Sequence, residues 1–412
     1  MEHGGLSVSF EDAQRIVLEA VNPLGCESVH LLEASGRVLC EDIISDTRIP
    51  PVDDSAMDGY AIIAEDTRGA SRDSPVKLKI VGEIQAGGLR ADKRVLRGTA
   101  IRIMTGAPMP EGADAVTRFE DTEERGGWVR IFCETDRYSN YRLAGENINK
   151  GDTILKKGHR VGSADLGLIA SLNRNPVGVY KQPTVAIIST GNELVDMGEE
   201  IRIGQTRNIN AYTLYSEVKK YGGLPEYLGT AKDTPEDTRE KFLSALGSDV
   251  TISTGGVSMG KYDFVKEILA DLGIGIQFEK VNIKPGSPFT FGIKGNKLFF
   301  GLPGNPVPTL TSFIQFVRPA LLKLMGATKI HKPMVHAFLE QDIVSVQSHH
   351  LIRGLFTVRS NEFYVSKTGN QKPSVLRSMS EANCLIVIPE HVTHVKAGEK
   401  VTIQLIDHGE TA

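Results

Sequence analysis

No apolar run in the sequence approaches the roughly 20 residues that a membrane-spanning helix requires, so no transmembrane segment is read. The opening residues MEHGGLSVSFEDAQ lack a basic stretch followed by an apolar one; with no secretory signal readable, a cytoplasmic location is expected. Cysteine is scarce. Cys26, Cys40, Cys133 and Cys384 stand far apart with no C-x-x-C pair, which excludes a zinc ribbon and a dithiol redox motif and leaves buried reduced thiols as the expectation. A large charge of one sign is also missing: the net charge is −4, and no Lys/Arg block is long enough to track a phosphate backbone. Nucleic acid is thereby excluded as the main partner, and any anionic ligand has to be small and held locally. His391-x-x-His394 and His349-His350 have no Cys nearby and no third candidate ligand, so they read as solvated or packed histidines.

What is present is enough chain for several cores. At 412 residues the sequence exceeds the size at which one core keeps growing, so two to four domains are expected. Ser9 and Asp12 form a capping-box pattern ahead of Ala13, Ile16, Val17 and Ala20 at helical spacing, and Pro23 and Gly25 end that helix. Between about 27 and 140 short apolar runs such as VKLKIVGEI, TAIRIM and WVRIF alternate with Gly, Pro and Asp, which predicts a β-rich domain. Helical period returns at 162–173, with Ser163 as the N-cap, and this piece is expected to pack with the first helix. Residues 7–26 and 141–178 would then form one discontinuous linker domain.

From 183 onward strands and helices alternate. TVAIIST and DVTIST are continuous apolar runs that each stop at glycine, as expected of strands buried on both faces. Helices open at Asn210 and at Thr234-Pro235-Glu236, and a hairpin joined through Lys294-Gly295-Asn296 leads to GLPGNP and a long amphipathic helix over 306–325. Repeated units of this kind predict a central α/β layered domain over 179–329 with a largely parallel sheet. After 330 the pattern is again strand-like, which predicts a small C-terminal β-barrel-like domain over 330–412.

Three glycine-bearing turns follow predicted strands: STGNEL at 189–194, STGGVSMGKYD at 253–263 and GLPGNPV at 301–307. Glycine lets the backbone approach a ligand, and a following helix N-terminus offers free N–H groups to an anion. The first two should lie together at the edge where open α/β sheets bind ligands, and GLPGNPV stands at a third strand end, where it reads equally as a simple helix start. Lys280 and Lys284, four apart in EKVNIKPGSPF, would present two ammonium groups on one face of an extended strand, an arrangement suited to an oxyanion. PVDDSAMDGY at 51–60 sets Asp53, Asp54 and Asp58 in a loop opened by Pro50-Pro51; alone it reads as a solvated turn.

Taken in order, AMDGYA, RIMTGAPMPEGADAV, STGNEL, STGGVSMGKYDF, IKPGSPF and GLPGNPV closely resemble the molybdopterin molybdenumtransferase family, that is MoeA and the E domain of gephyrin, over about residues 7–406. The resemblance implies a homodimer of four-domain subunits whose central domain is of the molybdopterin-binding type. It implies insertion of molybdenum from molybdate into adenylyl-molybdopterin, with Mg²⁺ and release of AMP. Asp53, Thr105, Glu193, Asp233, Asp263, Lys280 and Lys284 match catalytic positions, and Asp53, Glu193 and Asp263 are the implied metal carboxylates. Gly191, Gly255, Gly256, Ser258, Pro303, Gly304 and Asn305 are the implied pterin and nucleotide contacts, joined by Arg353 and Ser378 from the last domain. Carboxylates beside anionic substrates become useful if they share Mg²⁺ with phosphate. Asp53 would act directly while Asp54 and Asp58 fix the turn, and the Thr105 hydroxyl would donate to an oxygen anion.

Asn147, Asn192 and Ser287 depart from the family pattern, which often has Asp, Asp and Lys there; the last removes a positive charge. Two other functions fit parts of the chain: a gephyrin-like dimeric scaffold, and adenylyl transfer to molybdopterin. The implied hand-over partners are a molybdopterin adenylyltransferase and the molybdoenzymes that receive the cofactor.

Overall fold

The computed structural model describes residues 7–88, 94–255 and 263–406. The central layer is a seven-stranded sheet in the order 7–8, 275–281, 288–294, 297–302, 250–254, 184–190 and 224–231. Six of these strands run one way and only Pro288–Lys294 runs against them, as the hairpin turn requires. Apolar side chains on both faces explain the unbroken runs in TVAIIST and VTIST: Val185 and Ile187 join one buried cluster, Ala186 and Ile188 another.

The helix Phe10–Glu19 is where the sequence places it, with the Ser9 hydroxyl accepting from the Asp12 N–H at 3.0 Å. Its packing differs from expectation. Phe10, Ala13 and Val17 bury against the central sheet, and the Phe10 ring meets Phe316 edge-on at 5.6 Å. The helix therefore belongs to the α/β layer, not beside Ser163–Ser171. Periodicity fixes which face is apolar but not what covers it. The chain over 306–324 is helical throughout, with a π-helical turn at Phe313–Val317. Nearly all its residues are buried, so it is a core helix where an amphipathic one was expected.

The β-rich domain is a six-stranded sheet in the order 115–118, 59–62, 99–103, 76–84, 128–131 and 122–125. It begins later than residue 27. Cys26–Val29 pairs with Val177–Tyr180, and Ile43–Ile44 with Thr153–Leu155, over a core that includes Leu39, Leu155, Ile169 and Val177. Residues 26–49 thus complete the unit that contains helix Ser163–Ser171, whose entry is held by Asp165 accepting from the Gly162 N–H at 2.7 Å. The same pairing corrects the cysteine expectation. Cys26 and Cys40 form a disulfide across this unit, Cα atoms 6.1 Å apart, with Cys26 exposed. Cys384 is buried and reduced, as expected, and Cys133 is half-buried.

In the middle of the six-stranded sheet, a methyl group added at Gly59 would stand 2.0 Å from the Thr117 carbonyl oxygen. Gly59→Ala is therefore expected to destabilise this domain by roughly 1–3 kcal/mol or more, the usual cost of overpacking. Thermal melting monitored by circular dichroism checks it; an unchanged transition would show that the strand shifts freely.

The last domain closes into a five-stranded barrel in the order 349–359, 362–367, 334–339, 400–405 and 384–388, the last pairing back to the first. Ile283–Lys284, leaving the central sheet, joins this barrel as a parallel edge beside His349–His350. That crossover sets the barrel against the ligand edge of the α/β domain. Among the described residues, no helix is long and apolar enough to cross a membrane.

Candidate functional site

The strands Thr184–Thr190, Val250–Thr254 and Lys297–Leu302 end side by side, and each runs into a glycine turn. Gly255 donates its N–H to the Leu302 carbonyl at 3.1 Å, with φ +80, and a Cβ there would lie 2.6 Å from the Thr190 carbonyl oxygen. Gly191 sits at φ +143, where a Cβ would meet the Glu193 carboxylate at 2.6 Å. Both turns need glycine for their positive φ, and Gly255 needs it also for clearance from the Thr190 backbone. The Asn210 amide holds the Gly304 carbonyl at 2.7 Å, and the Thr309 hydroxyl donates to the carbonyls of Pro303 and Asn305. These turns enclose a cavity of about 610 Å³ onto which Gly191, Glu193, Asp233, Gly255, Pro303, Gly304 and Asn305 all open. Seven of the expected residues are thus brought together.

Two supports of this cavity were not expected. Asn192 and Asp233 clasp the two loops reciprocally: each backbone N–H donates to the other's side-chain oxygen at 3.2 Å. An amide at 192 does this without setting a second negative charge beside Asp233, so the departure from Asp is accommodated. Beneath them Asn208 is 1% exposed and donates to Tyr227 at 2.8 Å and Asp196 at 3.1 Å, while accepting from Ser189 at 3.2 Å. Burial pushes the Tyr227 hydroxyl up to about 12, so it remains a donor, here to Asp196. No spacing rule in the sequence marks Asn208; its partners come from three separate segments.

A second cavity of about 350 Å³ adjoins the first, sharing Pro288, Pro303 and Asn305. Its basic lining is Lys284, His350 and Arg353, and no carboxylate among the described residues opens onto it. Arg353 is 2% exposed, donating through Nε to Ser378 at 3.1 Å and through Nη2 to the carbonyls of Asn370 and Lys372. Burial lowers Arg353 to about 10, which leaves it charged at neutral pH. Ser378 stands behind Arg353, fixing it, and does not line the cavity. His350 is half-buried, with Nδ1 2.9 Å from the Ser345 hydroxyl; burial, then Lys284 and Arg353, lower it to about 4.

Lys280 does not share a strand with Lys284. The strand Gly275–Val281 ends before Asn282, and Ile283–Lys284 belongs to the barrel edge. Of the two, only Lys284 lines the cavity. The single-face expectation assumed one extended strand, and the change of sheet at 282 breaks it.

Asp53 and Thr105 lie apart from both cavities, in the β-rich domain. The Asp53 carboxylate accepts from the Tyr141 hydroxyl at 2.7 Å and the Ala144 N–H at 2.8 Å. Asp54 pairs with Arg142 at 2.7 Å. Thr105 donates both its N–H and its hydroxyl to Asp58, which holds the Asp58 carboxyl below the usual carboxylate range. The hydroxyl expected to meet an oxygen anion is therefore spent on the turn. Asp54 and Asp58 do fix the loop, as read from the sequence. Gly256 and Ser258 lie outside the described residues; Asp263 opens the helix Asp263–Asp271, and its side chain lies outside them too.

Glu193 and Asp233 are hard oxygen donors on one wall, while no group of three or more His, Cys, Asp or Glu that could hold a metal occurs among the described residues. An open pair fits Mg²⁺, which keeps several waters and shares one or two carboxylates with substrate phosphates. The trio Asp53, Glu193 and Asp263 is not assembled within one chain as far as the described residues extend: Asp53 is tied down in another domain.

Three family models match the chain in sequence: "MoeA N-terminal region (domain I and II)" over residues 8–173, "Probable molybdopterin binding domain" over 186–323, and "MoeA C-terminal region (domain IV)" over 341–406. A molybdopterin molybdenumtransferase of Staphylococcus epidermidis is 35% identical over 402 residues, covering 97% of this chain and 96% of its own length. That of Haemophilus influenzae is 34% identical over 407 residues, covering 97% and 99%. The crystal structure of the molybdopterin biosynthesis moeA protein from Pyrococcus horikoshii OT3 is similar with a TM-score of 0.81 at 30% identity, covering 97% of this chain and 99% of that one.

Proposed function

This chain belongs to the molybdopterin molybdenumtransferase (MoeA) family of molybdenum cofactor biosynthesis, and from that membership we propose that it inserts molybdenum from molybdate into adenylyl-molybdopterin, with Mg²⁺-dependent release of AMP, as a cytoplasmic homodimer. The observation that carries the finer reaction is the division of charge across two joined cavities. Glu193 and Asp233 open on one side, beside an Arg207 whose guanidinium is taken up by the Asp196 and Glu199 carbonyls, and Lys284 and Arg353 open on the other, with Pro303 and Asn305 between. A lone oxyanion suits the side that has cations and no carboxylate. A pyrophosphate linkage carrying a divalent cation suits the side that has carboxylates and glycine turns.

In this arrangement Arg353, held by Ser378 and two carbonyls, is a fixed cation, and Lys284 is an exposed one. Together they hold molybdate near the junction, where Gly304 and Asn305 open toward the pterin. Glu193 and Asp233 orient the phosphate end. Bound Mg²⁺ would neutralise the phosphates and help AMP leave. Lys284→Gln is expected to raise the molybdate concentration for half-maximal insertion about tenfold or more, as loss of a charged hydrogen bond costs. Lys280→Gln should change it much less. Equal effects from the two would put Lys280 back in the site.

Two incubations test the function. Molybdenum cofactor and AMP should appear with adenylyl-molybdopterin, molybdate and Mg²⁺. Adenylylated product from molybdopterin and ATP would instead make the chain an adenylyltransferase, and inactivity in both would leave the scaffold.

A further inference from the structure

We propose that His350 is the titratable member of the oxyanion cavity: a dianion seated between Lys284 and Arg353 draws a proton onto the His350 ring. The proposal rests on the oxyanion reading of that cavity and adds to it a residue and a pH dependence.

The backbone brings His350 there. Ile283–Lys284 runs parallel to the start of His349–Arg359, with Lys284 opposite His350 in register. Neighbouring residues alternate in direction along a strand, and His349 turns away to stack on Phe10 at 3.8 Å, leaving His350 on the cavity. Ser345 occupies Nδ1 at 2.9 Å. A serine hydroxyl either donates to a neutral imidazole nitrogen or accepts from a protonated one, so the ring gains a proton without losing this bond. Nε2 is then the nitrogen left for the cavity.

The charges around the ring are all of one sign. Lys284 faces it from the neighbouring strand and Arg353 from its own, Gln371 is the polar side chain of the facing loop, and across the sheet His350 pairs with Ile388. Burial first, and then Lys284 and Arg353 with no carboxylate among the described residues of the lining, keep the imidazole neutral. An oxyanion reverses the balance by adding two negative charges to the same space. Ser287 opens onto the cavity as well and brings only an uncharged hydroxyl. Lys284 and Arg353 are thus the permanent cations of the lining, and a third positive charge appears only when the anion is bound. The sign follows: the proton is taken up on binding, so affinity rises as pH falls and levels off above the bound-state pKa of the ring.

Calorimetric titration of the full chain with molybdate, in buffers of different ionisation heat at pH about 6 and about 8, reads the proton directly. The expected result at the lower pH is uptake of about 0.3 proton or more per molybdate, falling toward zero at the higher. His350→Gln should abolish the uptake and weaken binding about threefold or more at the lower pH. His350→Lys, with its charge fixed, should bind without uptake at either pH, and melting curves confirm that both variants fold. Binding by the parent with no buffer dependence, or equal uptake by His350→Gln, overturns the role of His350 and leaves the oxyanion cavity standing. No molybdate binding by the folded parent overturns the cavity assignment and this inference with it.

Discussion

Glu193→Gln should lower molybdenum insertion about a hundredfold or more while leaving the fold in place. Partners once removed from a metal already cost about 10–100-fold when lost, and Glu193 would face the metal and phosphates themselves. The side chain is exposed at the mouth of the cavity, and the backbone holds its loop: Thr206 donates its N–H to the Glu193 carbonyl at 2.8 Å. An isosteric amide keeps that bond and changes only the charge. A surface change of this kind alters stability by no more than about 0.5 kcal/mol. AMP release at saturating substrate, measured over a Mg²⁺ series, checks the effect. Rescue at high Mg²⁺ would mark Glu193 as a metal contact, and a loss that no Mg²⁺ restores would mark a direct role in orienting the phosphate. Near-parent rates at limiting Mg²⁺ would remove Glu193 from the site.

The glycine turns were legible because strand, glycine and helix start are neighbours in sequence, and each carries its own local signal. For the same reason the hairpin at Gly295-Asn296 and the barrel strands came out where expected. What the sequence does not encode locally is partner choice. Helix Phe10–Glu19 shows an apolar face, yet only the tertiary structure sets it on Phe316. Cys26 and Cys40 are separated by 14 positions and meet because residues 26–49 fold back onto 153–180. Lys280 and Lys284 looked like one strand because nothing at Asn282 announces a change of sheet. Asn208 and His350 escaped for a related reason: each acquires its chemistry from groups far away in sequence.

The position of Asp53 is the sharpest test of how the site is completed. Within one chain neither cavity is lined by any described residue before Thr190, whereas Asp53 is anchored in the β-rich domain by Tyr141 and Ala144. Two carboxylate oxygens, each with one bond received, still offer lone pairs to a ligand. If a second subunit brings this loop to the Glu193 cavity, each active site is composite, and a C2 dimer has two equivalent ones. Asp53→Asn should keep the loop folded, since one oxygen still accepts from Ala144 and the Tyr141 hydroxyl can accept from the new amide. Mixing inactive Asp53→Asn and Glu193→Gln homodimers, under conditions that exchange subunits, then places both lesions in one site and none in the other. Equal amounts give about half mixed dimers with one good site of two, hence recovery of about a quarter of the parent site content. Active-site titration with adenylyl-molybdopterin measures that content, and mass spectrometry verifies the exchange. Were both residues to serve one chain, every site would retain a lesion, and activity would stay at the level of the separate variants. With exchange verified, that flat result would leave Asp53 as the anchor of the 141–144 segment and nothing more.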